Sequence, residues 1–345
     1  MKITTIGMDL AKNVIQLHGV DAHGKTALRK QLKRDHVLPF FANLEACLVG
    51  MEACGSAHHW ARKLAALGHT VKLMAPQFVK PYVKTNKNDA ADAEAICEAV
   101  RRPNMRFVPM KSVEQQGVLA IHRARQGFVK ARTAQANQIR GLLSEFGIVI
   151  APGITQIAKR LPEILEDGEN GLPGRFRRLL ERLSEQLRVL DGQVGELERE
   201  IQLWHRDHDA SRKLAEIPGI GPITASALVA SIGDAKNFDN ARQFAAWVGL
   251  VPRQHSSGGK PRLLGISKRG DAYLRTLLIH GARAVIRHLQ LRLHQPDSWL
   301  KRLLERRNKN VAAVALANKN ARIAWALLAH DREFRADYVP AAAAA

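Results

Sequence analysis

The sequence predicts a mixed α/β part at the N-terminus, a helical coiled-coil middle and a mainly α C-terminal part. Three observations predict it. Short apolar runs separated by turn residues fill the first hundred or so positions. From Phe176 to Trp204 apolar residues recur in alternating steps of four and three. Beyond His208 helical patterns are punctuated by Gly-Pro and Gly-rich segments. The expected domains are 1–108, 109–207 and 208–335, with an unstructured tail over 336–345.

The elements follow in order. "ITTIGMDL" and "NVIQLHGV" read as strands, and "DAHG" as the turn before "KTALRKQL". "ACLVGME" is a short buried strand. "HHWARKLAALG" has helical spacing and ends on a Gly cap, and "TVKLMA" is a further strand. Asp89 to Arg101 reads as a helix with Ala93, Ile96, Cys97 and Val100 on its apolar side, stopped by "RRPN". One long helix is expected over 113–146, followed by a Pro/Gly-bearing break over 147–174. The heptad seam then runs through Phe176, Leu180, Leu183, Leu187, Leu190, Val194, Leu197, Ile201 and Trp204, weakened locally by Gly192 and Gly195. An antiparallel hairpin within the chain and a coil between chains both fit it. The last part holds "IPGIGPITASALVASIG", "ARQFAAWVGLVP", the basic segment "RQHSSGGKPRLLGISKRGD", and helices to about 330.

Lys and Arg number 53 against 32 acids, a net charge of +21. Such an excess opposes compaction and points to a polyanionic partner, nucleic acid first. No apolar run approaches the length of a membrane span, and "MKITTIGMDLAKN" lacks the long uncharged apolar core expected of a signal peptide. Cys47, Cys54 and Cys97 show no CxxC spacing, so they read as free thiols in a reducing cytoplasm.

Four acids stand out against this basic background. Asp89 and Asp92 lie three apart at a helix start, about 5–6 Å apart at Cβ. Stabilisation of the helix dipole is one reading of that pair. Asp9 and Glu52 each end a strand-like run, where sheet-rim sites form. Converging carboxylates repel one another, and hard divalent cations such as Mg²⁺ resolve the repulsion through oxygen ligands shared with phosphate. Two-metal carboxylate sites cleave phosphodiesters. Lys80, Lys84 and Lys87 would then hold the backbone.

In "GMDLAKN", "GMEACG" and "KNDAADA", these four acids resemble the D-E-D-D set of insertion-sequence-110-type transposases, the DEDD or bridge-RNA-guided recombinases. "IPGIGPITASALVASIGD", "FAAWVGLVP" and "SSGG…ISKRGDAYLR" resemble that family's second domain, and the likeness covers residues 3 to about 290. The resemblance implies a RuvC-like (ribonuclease H-like) N-terminal domain in which Asp9, Glu52, Asp89 and Asp92 bind two Mg²⁺ ions, replaceable by Mn²⁺. It also implies a serine nucleophile. Ser256 and Ser257 precede two glycines, which by themselves read as a polar turn. The family's Ser-Gly stands five residues after the loop's proline, and counting from Pro252 reaches Ser257, with Ser256 as the neighbouring candidate and His255 no evident base. Arg253, Lys260, Arg262, Lys268, Arg269 and Arg275 would neutralise phosphate.

"IPGIGPIT" resembles a helix-hairpin-helix turn whose Gly219 and Gly221 let backbone N–H groups approach a phosphate; an ordinary Gly-Pro turn fits as well. Arg283, Arg287, Arg292, Lys301, Arg302, Arg306, Arg307 and Lys309 form a basic run, either a solvated face or a phosphate track. Charge does not separate DNA from RNA. The resemblance implies both: the element's ends and target DNA, and a non-coding bridge RNA that pairs with them. Aromatic residues make up 5% of the chain, which suits backbone contact better than base stacking. The expected protein is a cytoplasmic, nucleoid-associated, Mg²⁺-dependent serine recombinase, a dimer assembling to a tetramer. A junction nuclease using the same acids with water is one alternative, and a non-catalytic architectural protein is another.

Overall fold

The computed structural model describes residues 2–84, 88–291 and 299–336. The chain divides into two compact units, Met1–Gln115 with Ile232–Asn237, and Gln116–Ser231 with Phe238–Ala345.

The first unit is built on one six-stranded sheet. β1 (Thr5–Leu10), β2 (Val14–Val20) and β3 (Thr26–Lys33) form an antiparallel meander. β3, the "KTALRKQL" segment, carries Arg29, Lys30 and Lys33 on the open edge, where charge discourages pairing with another chain. After α1 (Val37–Ala42), β4 (Leu48–Glu52) lies parallel to β1. α2 (Ala57–Ala66) leads to β5 (Thr70–Met74), parallel to β4. α3 (Pro76–Val79), α4 (Asp89–Val100) and the short β6 (Phe107–Val108) complete the unit. The sheet order is β3-β2-β1-β4-β5-β6, which is consistent with a RuvC-like domain.

Strand alternation separates the two faces. Ile6, Met8, Ile15, Leu17, Val49 and Met51 point to one side, where they bury Val37 and Phe41 of α1 and Trp60, Ala61 and Leu64 of α2. α4 covers the other side. There the sheet presents Gly7 and Gly50, register partners on β1 and β4. A Cβ on Gly7 would lie 2.1 Å from the Ala93 carbonyl oxygen, and one on Gly50 would lie 2.7 Å from Val100 Cβ. At Gly7 the helix backbone rests directly on the strand's main chain, and at Gly50 the Val100 side chain packs on it.

The second unit is helical apart from one hairpin. α5 (Val113–Ser144), α6 (Ile154–Glu166) and α7 (Gly174–Asp207) share a core of Ile139, Leu143, Ile157, Leu161, Leu180 and Leu187. α5 and α7 are antiparallel. Arg125 pairs with Glu198 and Arg132 with Asp191, so both partners step by seven in opposite directions, and Phe146 stacks on Phe176 at the near end. On α7, Leu180, Leu187, Val194 and Ile201 are buried at intervals of seven, while Phe176, Leu183, Leu190, Leu197 and Trp204 stay half-buried. Gly192 and Gly195 do not interrupt the helix.

The expected break over 147–174 is corrected: it contains α6. Pro162 sits inside that helix and removes one of its hydrogen bonds, but Ile157, Leu161 and Ile164 are buried on one face. Tertiary burial outweighs the local penalty.

α8 (Asp209–Ala215), α9 (Pro222–Ile232) and α10 (Ala241–Val248) follow, then the hairpin of β7 (Pro252–Gln254) and β8 (Leu263–Ile266), then α11 (Ala272–Leu291), α12 (Trp299–Arg306) and α13 (Lys309–His330). α13 buries a stripe of small residues including Ala313, Ala317, Ala321 and Ala324. Its Asn320 donates to the Pro218 carbonyl at 2.8 Å and its Asn318 to the Leu250 carbonyl at 3.1 Å. Among the described residues no helix is long and apolar enough to cross a membrane. The tail expectation lies outside the described residues from 337 onward.

Candidate active site

Asp9 stands two residues after Gly7, so its side chain projects from the face that α4 covers. Asn88 caps α4 by accepting the Ala91 N–H at 2.8 Å, and the Asp92 N–H donates to the Asn88 carbonyl at 2.9 Å. This start presents Asp89 and Asp92 in the first helical turn. Because α4 lies directly on Gly7 and Gly50, that turn reaches the end of β1. Ligand oxygens of Asp9, Asp89 and Asp92 all lie within 4.8 Å of one another. Asp9 and Asp92 are half-buried and Asp89 is exposed.

Glu52 closes β4 one strand over. Met8 and Met51 are in register, and Gly50 and Glu52 share a strand face as Gly7 and Asp9 do. Glu52 is half-buried and is not a member of the three-acid group. It belongs to the same rim: the Cys54 thiol is pushed up first by desolvation, then by the charges of Glu52 and Asp9.

Three carboxylates this close repel strongly, and a hard divalent cation is the species that their oxygen atoms suit. Helix capping alone accounts for Asp89 and Asp92, but it does not account for Asp9, which comes from a strand. Lys84 forms an ion pair with Glu98 at 3.1 Å and holds that carboxyl below its usual range. Lys87 lies outside the described residues.

The serines sit on the β7–β8 hairpin of the second unit. Gly258 and Gly259 have φ of 55° and 72°, and the Lys260 N–H donates to the Ser257 carbonyl at 3.1 Å. Two successive positive-φ residues closed by such a bond make the two-residue turn that suits strand twist. Ser257 is therefore the last residue before the tip. The neighbouring hydroxyl is engaged: Ser256 Oγ accepts from Gln254 Nε2 at 2.9 Å and from the Arg262 N–H at 3.2 Å. Among the described residues Ser257 Oγ has no such partner, and both serines are exposed.

The hairpin base is stiff. A Cβ on Gly249 would lie 2.0 Å from the Arg269 carbonyl oxygen, and one on Gly270 would lie 1.8 Å from that of Trp247. Both glycines have positive φ. Arg275 Nη1 donates to the Val248 and Arg269 carbonyls, each at 3.0 Å, bracketing the arm from both sides. Its guanidinium thus fastens the arm, a use the sequence reading did not foresee. Arg253, Lys260, Arg262, Lys268 and Arg269 are exposed.

In the "IPGIGPIT" turn the two glycines differ. Gly219, φ 92°, packs against α11, where a Cβ on Gly281 would fall 1.8 Å from its carbonyl oxygen. Gly221 faces open space. Of the basic run, Arg292 lies outside the described residues; Arg283, Arg287, Arg306, Arg307 and Lys309 are exposed. The residues not singled out beforehand are Gly7, Gly50 and Asn88. For the glycines the signal was present: "GMD" and "GME" repeat one pattern on adjacent strands.

Comparison with known proteins fits this geometry. A DEDD-type IS110 profile, described as "Transposase", matches residues 6–148, and the "Transposase IS116/IS110/IS902 family" profile matches 211–297. The chain is 55% identical to a probable family 20 transposase of Pseudomonas aeruginosa, over 97% of this chain and 99% of the relative. It is 47% identical to the transposase for insertion sequence element IS1111A of Coxiella burnetii, over 96% of this chain and 92% of that one. It is 46% identical to the transposase for IS1328 of Yersinia enterocolitica, over 96% and 98%.

A strand-and-helix rim of clustered acids, in a chain with these relatives, defines a DNA-processing enzyme of the transposase class. The chain belongs to the IS110/IS116/IS902 family of insertion-sequence transposases, and its partner is DNA.

Proposed function

We propose that this transposase cuts and rejoins DNA through a covalent serine–phosphate intermediate at Ser257. The observation that carries the reading is the meeting of Asp9, Asp89 and Asp92 within 4.8 Å on the rim of β1. With Glu52 at the end of β4, these residues would hold divalent ions, Mg²⁺ or Mn²⁺. Such ions supply Lewis-acid polarisation of phosphate and charge stabilisation at the departing oxygen.

The chain's own residues do the rest. Ser257 Oγ bonds to the scissile phosphorus as the P–O bond to the sugar breaks, and the hydroxyl proton ends on the departing sugar oxygen. The two hydrogen bonds that Ser256 Oγ accepts hold it within the hairpin, which supports Ser257 as the nucleophile. A sugar hydroxyl from a second strand reverses the step and releases serine. The phosphodiester's energy is retained, so no separate energy source is needed for rejoining. Arg253, Lys260, Arg262, Lys268 and Arg269 bear on the phosphates, and Gly221 offers its open turn to the backbone.

The resemblance adds RNA guidance: a structured non-coding RNA carries the sequence choice while the protein holds backbone and shape. The helical middle, including the half-buried line on α7, brings subunits together as a dimer and then a tetramer. The turn between α8 and α9 acts as a helix-hairpin-helix element, and the protein works at the nucleoid.

The test uses the full chain with its element's DNA, guide RNA and Mg²⁺. Ser257→Ala should abolish both the protein–DNA adduct on denaturing gels and recombination, by about 10³-fold or more. Ser256→Ala should retain both. Asp9→Asn should lose both, as should removal of divalent ions. Continued cutting by Ser257→Ala, with no adduct in the wild type, would make the enzyme a water-using nuclease.

A further inference from the structure

Fourteen consecutive residues, 252–265, are exposed. They include Leu263 and Leu264, at 64% and 37% exposure. Neighbours on a strand point to opposite faces. Each face of the β7–β8 ribbon therefore carries an exposed leucine, Leu263 largely open and Leu264 more than half covered. A ribbon meant to lie on its own unit would bury one of these faces, and an isolated two-stranded hairpin is marginal in water. This one is held instead from its base, by the Gly249–Gly270 crossing and the two carbonyl bonds of Arg275.

Charge indicates what surrounds it. No acid occurs between Asp239 and Asp271, while Arg242, Arg253, Lys260, Arg262, Lys268 and Arg269 all lie in that interval. A stiff, cationic, two-sided ribbon with an apolar side chain on each face complements a cleft lined by phosphates on both walls. The major groove of DNA, about 12 Å wide, admits a two-stranded ribbon and offers thymine methyls to apolar side chains.

We propose that the β7–β8 arm enters the major groove of duplex DNA as a ribbon, with its cationic residues against the phosphate walls and Leu263 and Leu264 making apolar contacts to thymine methyls on the base edges. The contact rests on the reading of Ser257 as nucleophile only for its purpose, which is to seat the tip serine against a phosphate; the binding itself stands apart from it.

The experiment measures binding of the full chain to a short fluorescein-labelled DNA duplex by anisotropy over a range of salt. The L263N/L264N variant should bind about tenfold more weakly, the loss expected from one well-buried leucine, with an unchanged salt slope. Arg253→Ala and Lys260→Ala should each make the log–log slope shallower by about one. Replacing thymine by uracil should weaken the wild type and narrow its gap to the leucine variant. Unchanged affinity of L263N/L264N overturns the proposal. So does a leucine gap that ignores the uracil exchange, which removes the major groove, and so does a change in the variant's sedimentation without DNA, which gives the face to a second copy of the chain. Ser257→Ala should bind the duplex as the wild type does. If it binds normally but still forms the adduct, the serine mechanism fails while the groove contact stands.

Discussion

Two glycines set the width of the acidic rim. Gly7 and Gly50 let α4 lie on the backbone of β1 and β4, and that contact brings the first turn of α4 to Asp9. Gly7→Ala places a methyl 2.1 Å from the Ala93 carbonyl oxygen, where only backbone can yield. The expected result is a stability loss on the order of 3 kcal/mol in urea unfolding, with at least about tenfold less DNA strand cleavage. Wild-type cleavage by that variant would separate helix position from acid geometry. The three acids that cluster, Asp9, Asp89 and Asp92, were legible because each follows an apolar run or opens a helix. The glycines were equally visible in "GMD" and "GME", but their purpose depends on α4, a helix that begins well beyond both of them in the chain. Which serine is free was not legible, since Ser256 is occupied through the Arg262 amide across the turn.

The two longest helices, α5 and α7, declared themselves by their apolar positions. α7 matches the heptad seam through Gly192 and Gly195, because burial every seventh residue outweighs two weak formers. The partner of that seam was not readable; the Arg125–Glu198 and Arg132–Asp191 pairs identify it as α5, running antiparallel. α6 was missed since Pro152, Gly153, Pro162 and Gly168 crowd one segment, although Ile157, Leu161 and Ile164 keep helical spacing. A buried cluster then ties α5 to α9 and α11. His122 Nε2 lies 3.1 Å from Ser226 Oγ, whose own proton goes to the Pro222 carbonyl at 2.6 Å. The imidazole therefore donates from Nε2, and its Nδ1 accepts from Tyr273 Oη at 3.0 Å. Burial, then Arg125, lowers the His122 pKa to about 4. In the unfolded chain the same ring takes up a proton below about 6.5, so the unfolded state gains protons first as pH falls. Stability from this group is complete above about 6.5 and declines towards pH 4, by roughly 3 kcal/mol at most. Melting temperature followed by circular dichroism should drop across that interval, and His122→Asn should flatten the drop. A slope unaltered in the variant would assign the pH dependence elsewhere.

A net charge of +21 spread over 345 residues requires a counter-charge to be tolerable. Composition announced that need, and the exposed arm and the basic run over α11, α12 and α13 give it places to act. Duplex affinity should fall roughly a thousandfold between about 50 and about 200 mM salt, as for proteins that neutralise several phosphates. Titration by anisotropy measures this, and a shallow dependence would mean that the excess charge serves something other than DNA. The identity of the polyanion was the part that composition left open, because backbone phosphate is common to DNA and RNA.

The bare floor under α4 has one more consequence. At Gly7 main chain meets main chain, a contact that cannot be compressed, while at Gly50 the Val100 side chain fills the space. That contact limits how closely the first turn of α4 can approach Asp9. On the reading that this acidic collar holds divalent ions, it would grade them by ionic radius, and a ranking of Mg²⁺, Mn²⁺ and Ca²⁺ by the activity each supports would gauge its bore.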